Sequence, residues 1–190
     1  QALREYEEAR HNYQQAIAIF IEFSDRYSQA NTYHQLGNIA CLLREYGEAR
    51  QNYQQALAIC IEFGDRYSQA STYHQLGIVA QELREYGEAR QNYQQALAID
   101  NEFGDRYSQA LTYGQLGLLA EAENNFTEAG QNLLKALEIF AQFQDQHSVE
   151  MTVNNLSRIY QATQDDNLLQ KISQVLGITI EEVRQKLAST

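Results

Sequence analysis

The sequence predicts an all-α fold of stacked helical hairpins. Two observations carry this. The chain repeats itself every 40 residues: Tyr33-His34-Gln35-Leu36-Gly37 returns as Tyr73-His74-Gln75-Leu76-Gly77 and Tyr113-Gly114-Gln115-Leu116-Gly117, with a faded copy at Asn155-Leu156-Ser157. Repeats of this length form arrays in which each unit buries its apolar face on its neighbours. The chain also contains no proline and is rich in Ala, Leu, Glu and Gln, which favours helix throughout.

Each unit holds two helical patterns. In residues 24–63 the first helix is expected from about Arg26 to Leu43, with Ala30, Tyr33, Leu36, Gly37, Ala40 and Leu43 at spacings of three and four. The second is expected from about Tyr46 to Glu62, with Ala49, Tyr53, Ala56 and Leu57 following the same rule. Gly64 suits the left-handed position that ends a helix, and Asp65 suits the cap of the next. Gly104-Asp105 repeats this pair, and Ser24-Asp25 and Gln144-Asp145 are variants. Gly37, Ala40, Ala49 and Ala56 should let the two helices approach, with Tyr33, Leu36, Tyr53 and Phe63 filling the space between them.

The pattern Tyr33, Leu36-Gly37, Ala49, Tyr53, Ala56 resembles the tetratricopeptide repeat family. The unit is longer than that family's usual one and lacks the proline near its end, which fits longer helices. With Gly-Asp-Arg at the junctions, it resembles the 40-residue subclass found in cell-polarity adaptors and large bacterial signalling proteins. The resemblance implies a right-handed α-solenoid over residues 1–163. The expected parts are a partial repeat 1–23, full repeats 24–63, 64–103 and 104–143, and a last first-helix 144–163. Because residues 1–23 align with 41–63, Gln1 is expected inside a first helix, and the sequence reads as part of a larger array.

From Asp165 onward the repeat is gone. A helix is expected from Asn167 to Leu176, ended by Gly177. Thr179-Ile180-Glu181-Glu182 has the capping-box pattern and should open a last helix to about Leu187. Residues 164–190 therefore read as a C-terminal helical cap. The alternative is a DNA-binding helix-turn-helix, which Val175-Leu176-Gly177-Ile178-Thr179 loosely resembles. Residues 165–190 hold four acids and three bases, so this segment is not basic.

Bulk composition narrows the function. A formal charge of −11 disfavours binding to a phosphate backbone. No stretch approaches the roughly 20 apolar residues that span a bilayer. A soluble, cytoplasmic protein is expected. Cys41 and Cys60 lie on the two helices of one repeat, about 15–20 Å apart at helical rise, so they are expected as free thiols. No nucleophile elbow, phosphate loop or zinc-binding His-Glu-x-x-His is present, and catalysis is not expected. His34 and His74 occupy one repeat position without a further ligand, which makes a poor metal site, so neither metal nor cofactor is expected.

Internal comparison singles out a candidate surface. Units 24–63 and 64–103 match at 32 of 40 positions and differ at 24, 31, 38, 39, 41, 42, 60 and 61. The third unit changes 31, 38, 41 and 42 again, to Leu111, Leu118, Glu121 and Ala122, and replaces His34 and His74 with Gly114. Positions 31, 34, 38 and 41 form one helical stripe beside the core face. Arg50, Gln51, Asn52, Gln54 and Gln55 meanwhile recur unchanged at 90, 91, 92, 94 and 95.

In tetratricopeptide arrays the first helices line the concave groove where partner segments bind. The resemblance therefore implies a protein or peptide partner read by Asn31, His34, Asn38, Cys41, Ser71, His74, Ile78, Gln81, Leu111, Leu118 and Glu121, joined by Asn154 and Arg158. The competing expectations are that Ile78 and Leu118 merely pack between repeats, and that near-identical repeats self-associate end to end.

Overall fold

A computed structural model describes residues 2–188. Gln1 and the last two residues of the expected cap, Ser189 and Thr190, lie outside the described residues. The chain forms ten helices among those residues: α1 (Ala2–Glu22), α2 (Arg26–Leu42), α3 (Tyr46–Glu62), α4 (Arg66–Glu82), α5 (Tyr86–Phe103), α6 (Arg106–Ala122), α7 (Phe126–Gln142), α8 (Gln146–Thr163), α9 (Asp166–Leu176) and α10 (Ile180–Ala188). The fold class is all-α, of the helical-hairpin solenoid type. Two compact units, Gln1–Ile99 and Asp100–Thr190, divide it, with the boundary inside α5.

The helix ends follow local chemistry. Asp25, Asp65, Asp105 and Asp145 each accept a hydrogen bond from the backbone amide three residues on, at Ser28, Ser68, Ser108 and Ser148. Each such cap stabilises its helix by about 1 kcal/mol. Gly64 and Gly104 stand at φ 66°, where glycine carries no steric cost. Ser24 and Gln144 take the same left-handed conformation, both at φ 56°. The amide of Asp65 then closes on the Cys60 carbonyl at 2.8 Å, and that of Asp145 on the Phe140 carbonyl at 3.1 Å.

In the first unit, Ala40, Ala49, Tyr53, Leu76 and Val79 form one core cluster, and Ala30, Ile59 and Cys60 another. Gly37 is what allows α2 and α3 to meet. A Cβ there would lie 2.6 Å from the Tyr53 ring, and one at Gly77 would lie 2.5 Å from Tyr93. In the second unit, Leu133 takes the tyrosine's place, 2.6 Å from a Cβ built at Gly117.

The last two helices complete the second unit's core. Leu168, Leu169 and Ile172 of α9 and Val183 and Leu187 of α10 join Leu133, Leu137, Leu156 and Ile159. Gly177, at φ 64°, ends α9. The capping box is reciprocal: the Thr179 amide donates to Glu182 at 2.7 Å, and the Glu182 amide donates to Thr179 Oγ1 at 3.2 Å. Ser157 Oγ also donates to the Leu187 carbonyl at 2.8 Å, fixing α10 to α8.

One expectation fails. Phe63 does not fill the hairpin: it is 50% exposed, and its ring sits edge-on to Tyr27 at 5.9 Å. It occupies the C-cap of α3, where the chain already turns away from the core.

A candidate partner-binding face on the first helices

The stripe residues lie at the helix surface, graded by position. Asn31, Ser71 and Leu111 are exposed, whereas positions 34, 38 and 41 and their counterparts are half-buried in each repeat. Asn154 and Arg158 on α8 are exposed. None of the candidate residues is fully buried.

The stripe has two parts with different partners. Its inner positions answer to the buried tyrosine. The Tyr53 hydroxyl donates to Asn38 Oδ1 at 2.7 Å and lies 3.7 Å from Cys41 Sγ. The Tyr93 hydroxyl instead donates to Gln81 Oε1 at 3.1 Å, and position 78 is the apolar Ile78. In the third repeat Leu133 has no hydroxyl to satisfy. There position 118 is leucine, and Glu121 accepts a bidentate pair from Arg158, both contacts at 2.8 Å. Variation at 38 and 41 thus tracks an internal need, since a buried hydroxyl without a partner costs about 1–3 kcal/mol. In the sequence the signal is partial: Leu118 accompanies Leu133, whereas Asn38 and Ile78 differ beside the same tyrosine.

The outer positions converge on a pocket within the first unit. Asn31 and His34 of α2 and Ser71 of α4 line a cavity of about 310 Å³. Its floor includes Ala56 and Cys60 of α3, and Asp65 and Tyr27 stand at its side. Tyr27 donates to Asp65 Oδ2 at 3.2 Å. Ser68 lowers the carboxyl pKa of Asp65 through its backbone amide and hydroxyl. His34 Nδ1 is 3.3 Å from Thr72 Oγ1, and burial pushes its pKa below the usual histidine value. Burial takes His74 further, to about 4, so both imidazoles are neutral at pH 7.

A second recess, of about 600 Å³, lies in the other unit between α8 and the α9–α10 turn. Val149, Val153, Val175 and Ile178 give it an apolar base, and Asn154 and Lys186 flank it. Leu111 and Leu118 do not line either recess. Both thiols are free, and burial raises the pKa of each. Among the described residues, no group of three or more His, Cys, Asp or Glu side chains is placed to hold a metal ion. No described helix is long and apolar enough to cross a membrane.

Arg50, one of the unchanging residues of the second helices, has a structural cause that periodicity could not reveal. Arg50 pairs with Glu85 of the next repeat and lies 3.9 Å from Glu88, and Arg10 pairs with Glu45 in the same register. Gln29, Gln69 and Gln109 are buried, and each donates to a carbonyl nine residues back, at Phe20, Cys60 and Asp100. Gln51, Gln54 and Gln55 are exposed.

These features define a helical-hairpin repeat protein whose first helices carry its variable surface. The chain belongs to the tetratricopeptide repeat family: family models match residues 1–62, 28–102 and 110–143. Solved structures agree in fold. BtubC from P. vanneervenii is 21% identical with a TM-score of 0.76, over 98% of this chain and 76% of its own. The nearly identical repeats of a Podosopora anserina putative kinesin light chain are 22% identical with a TM-score of 0.71, over 94% and 89%. A signal transduction ATPase with a tetratricopeptide repeat sensor, PH0952 from Pyrococcus horikoshii, is 17% identical with a TM-score of 0.68. That match spans 96% of this chain and 28% of the ATPase. No curated protein matches the chain.

Proposed function

We propose that residues 1–163 act as a binding array closed by a cap at 164–190, and that the first helices hold a protein or peptide segment along one groove. The observation that carries this reading is the exposed outer stripe. Position 31 of the repeat stays at the surface in three successive units yet changes from Asn31 to Ser71 to Leu111, whereas exposed Gln51 of the second helix recurs unchanged as Gln91 and Gln131. A change from polar to apolar along the stripe suits an extended or helical segment with one apolar anchor. Asn31, His34, Ser71, His74, Leu111, Asn154 and Arg158 are the contacts. Asn38, Cys41, Ile78, Gln81, Leu118 and Glu121 act mainly by shaping the face. The sensor role named for the Pyrococcus repeats supports a sensing or scaffolding part here; the cytoplasm as its place and the absence of catalysis by these repeats belong to the same proposal.

The test is affinity for a peptide selected from a random display library against this chain. Leu111→Glu should weaken it by at least about tenfold, and Gln55→Glu should leave it unchanged. The opposite pattern would refute the groove.

Self-association is the second reading, and α1 favours it. Ile19 is 52% exposed, whereas its repeat counterparts Ile59 and Ile99 are each 1% exposed. Phe23 adds a further 75%-exposed ring at the end of the same helix. Light-scattering mass that rises with concentration, and falls back to about 22 kDa in Ile19→Gln, would make this reading the leading one.

A further inference from the structure

The pocket between α2, α3 and α4 differs from the rest of the face in its charge. Asp65 supplies the one formal charge among its lining residues at pH 7, because His34 is neutral there and burial keeps the Cys60 thiol protonated. Asp65 Oδ1 accepts from the Ser68 amide and Oδ2 from the Ser68 and Tyr27 hydroxyls. None of these partners is a cation, so beyond the partial positive end of α4 no formal charge pairs with the carboxylate. Arg26, the cation at the start of α2, is held by Glu62 at 2.9 Å and by Gln29 at 3.1 Å.

The walls suit a long side chain with a charged tip. Ala30, Ala56 and Cys60 offer an apolar floor for methylene groups, and the Tyr27 ring stands half-exposed at the mouth. The chain's net charge of −11 draws cations towards it at long range.

We propose that this pocket is a subsite for a basic side chain, lysine or arginine, of the bound segment. The proposal rests on the groove reading above and names the chemistry of one of its contacts. The ammonium or guanidinium group approaches Asp65, its stem lies over Ala56 and Cys60, and Asn31 and Ser71 offer further oxygen acceptors. Variation inside the chain sets the subsite. In the repeat 104–143, the counterpart of Cys60 is Phe140, whose ring packs edge-on against Tyr107 at 5.6 Å. The small residue at position 60 is therefore what leaves room for a ligand, and this position is one of the eight that differ between the first two full units.

The probes are N-acetyl-arginine amide and N-acetyl-lysine amide, with the norleucine and glutamate amides as controls, titrated against the ¹⁵N-labelled chain. The two cationic probes should shift the amides of Asn31, Asp65 and Ser71 in a saturable way, and the controls should not. Asp65→Asn keeps a good helix cap while removing the charge, and should weaken the cationic probes about tenfold. Cys60→Phe should abolish binding by filling the pocket as Phe140 does, and so tests the site through a second variant that leaves Asp65 in place. Equal response to norleucine, insensitivity to both variants, or no response to the cationic probes overturns the proposal. If a display-selected peptide perturbs the first helices while the cationic probes do not, the subsite fails and the groove stands. If the probes bind but no peptide does, the groove fails and the subsite stands.

Discussion

The Tyr53 hydroxyl donates its hydrogen bond to Asn38 across 2.7 Å, tying the most buried tyrosine of its hairpin to a variable position on the neighbouring helix. Asn38→Leu should therefore destabilise the chain by about 1–2 kcal/mol, because the hydroxyl loses its strong acceptor. Adding Tyr53→Phe should cost less in the Asn38→Leu background than alone. Urea unfolding of the two single variants and the double variant measures that coupling. Strict additivity would show that the bond has no energetic role.

The Gly37–Tyr53 approach gives a sharper contrast. Gly37→Ala places a Cβ 2.6 Å from the ring and should cost about 1–3 kcal/mol. Gly114, inside α6, has nothing within 4 Å of such a Cβ. Gly114→Ala should stabilise by about 0.5–1 kcal/mol, since it removes a helix-interior glycine without a clash. Thermal unfolding of the two variants should move in opposite directions.

Stability should respond to Asp100. Burial first, and then the neighbouring Asp105 charge, raises its carboxyl pKa from 3.8 to about 6. The folded state then holds this proton more tightly than the unfolded chain. The stabilisation is complete below about pH 4 and is lost as pH rises through 6. Asp100→Asn should thus gain on the order of 1–3 kcal/mol at pH 7.5 and almost nothing at pH 3.5. His74 acts in the other direction. Its folded pKa lies near 4, so its contribution is lost as pH falls from 6.5 towards 4. Denaturant midpoints of Asp100→Asn and of the unaltered chain across this range separate the two effects.

Much of the fold was legible because its causes are local. Periodicity placed α3 at its observed bounds, and Gly64, Asp65, Gly177 and the Thr179–Glu182 box marked the ends they make. What stayed hidden was contact between repeats. The buried amides of Gln29, Gln69 and Gln109 look solvent-facing in a sequence, although each reaches a carbonyl of the preceding helix. Arg50 looked like an exposed residue spared from change, whereas its pairing with Glu85 explains that directly. The stripe was found by comparing repeats, but comparison alone could not divide positions that serve a tyrosine hydroxyl from those that face outward. Phe63 misled because its apolar character outweighed its place at a helix end.

The central claim is that partner recognition belongs to the first helices. The most direct measurement is an amide-shift footprint of a display-selected peptide on the ¹⁵N-labelled chain. Perturbations are expected at Asn31, Ser71, Leu111 and Asn154 on α2, α4, α6 and α8, with Gln51, Gln55 and Gln91 unmoved. A footprint confined to α3, α5 and α7, or one that vanishes only in Ile19→Gln, would contradict it.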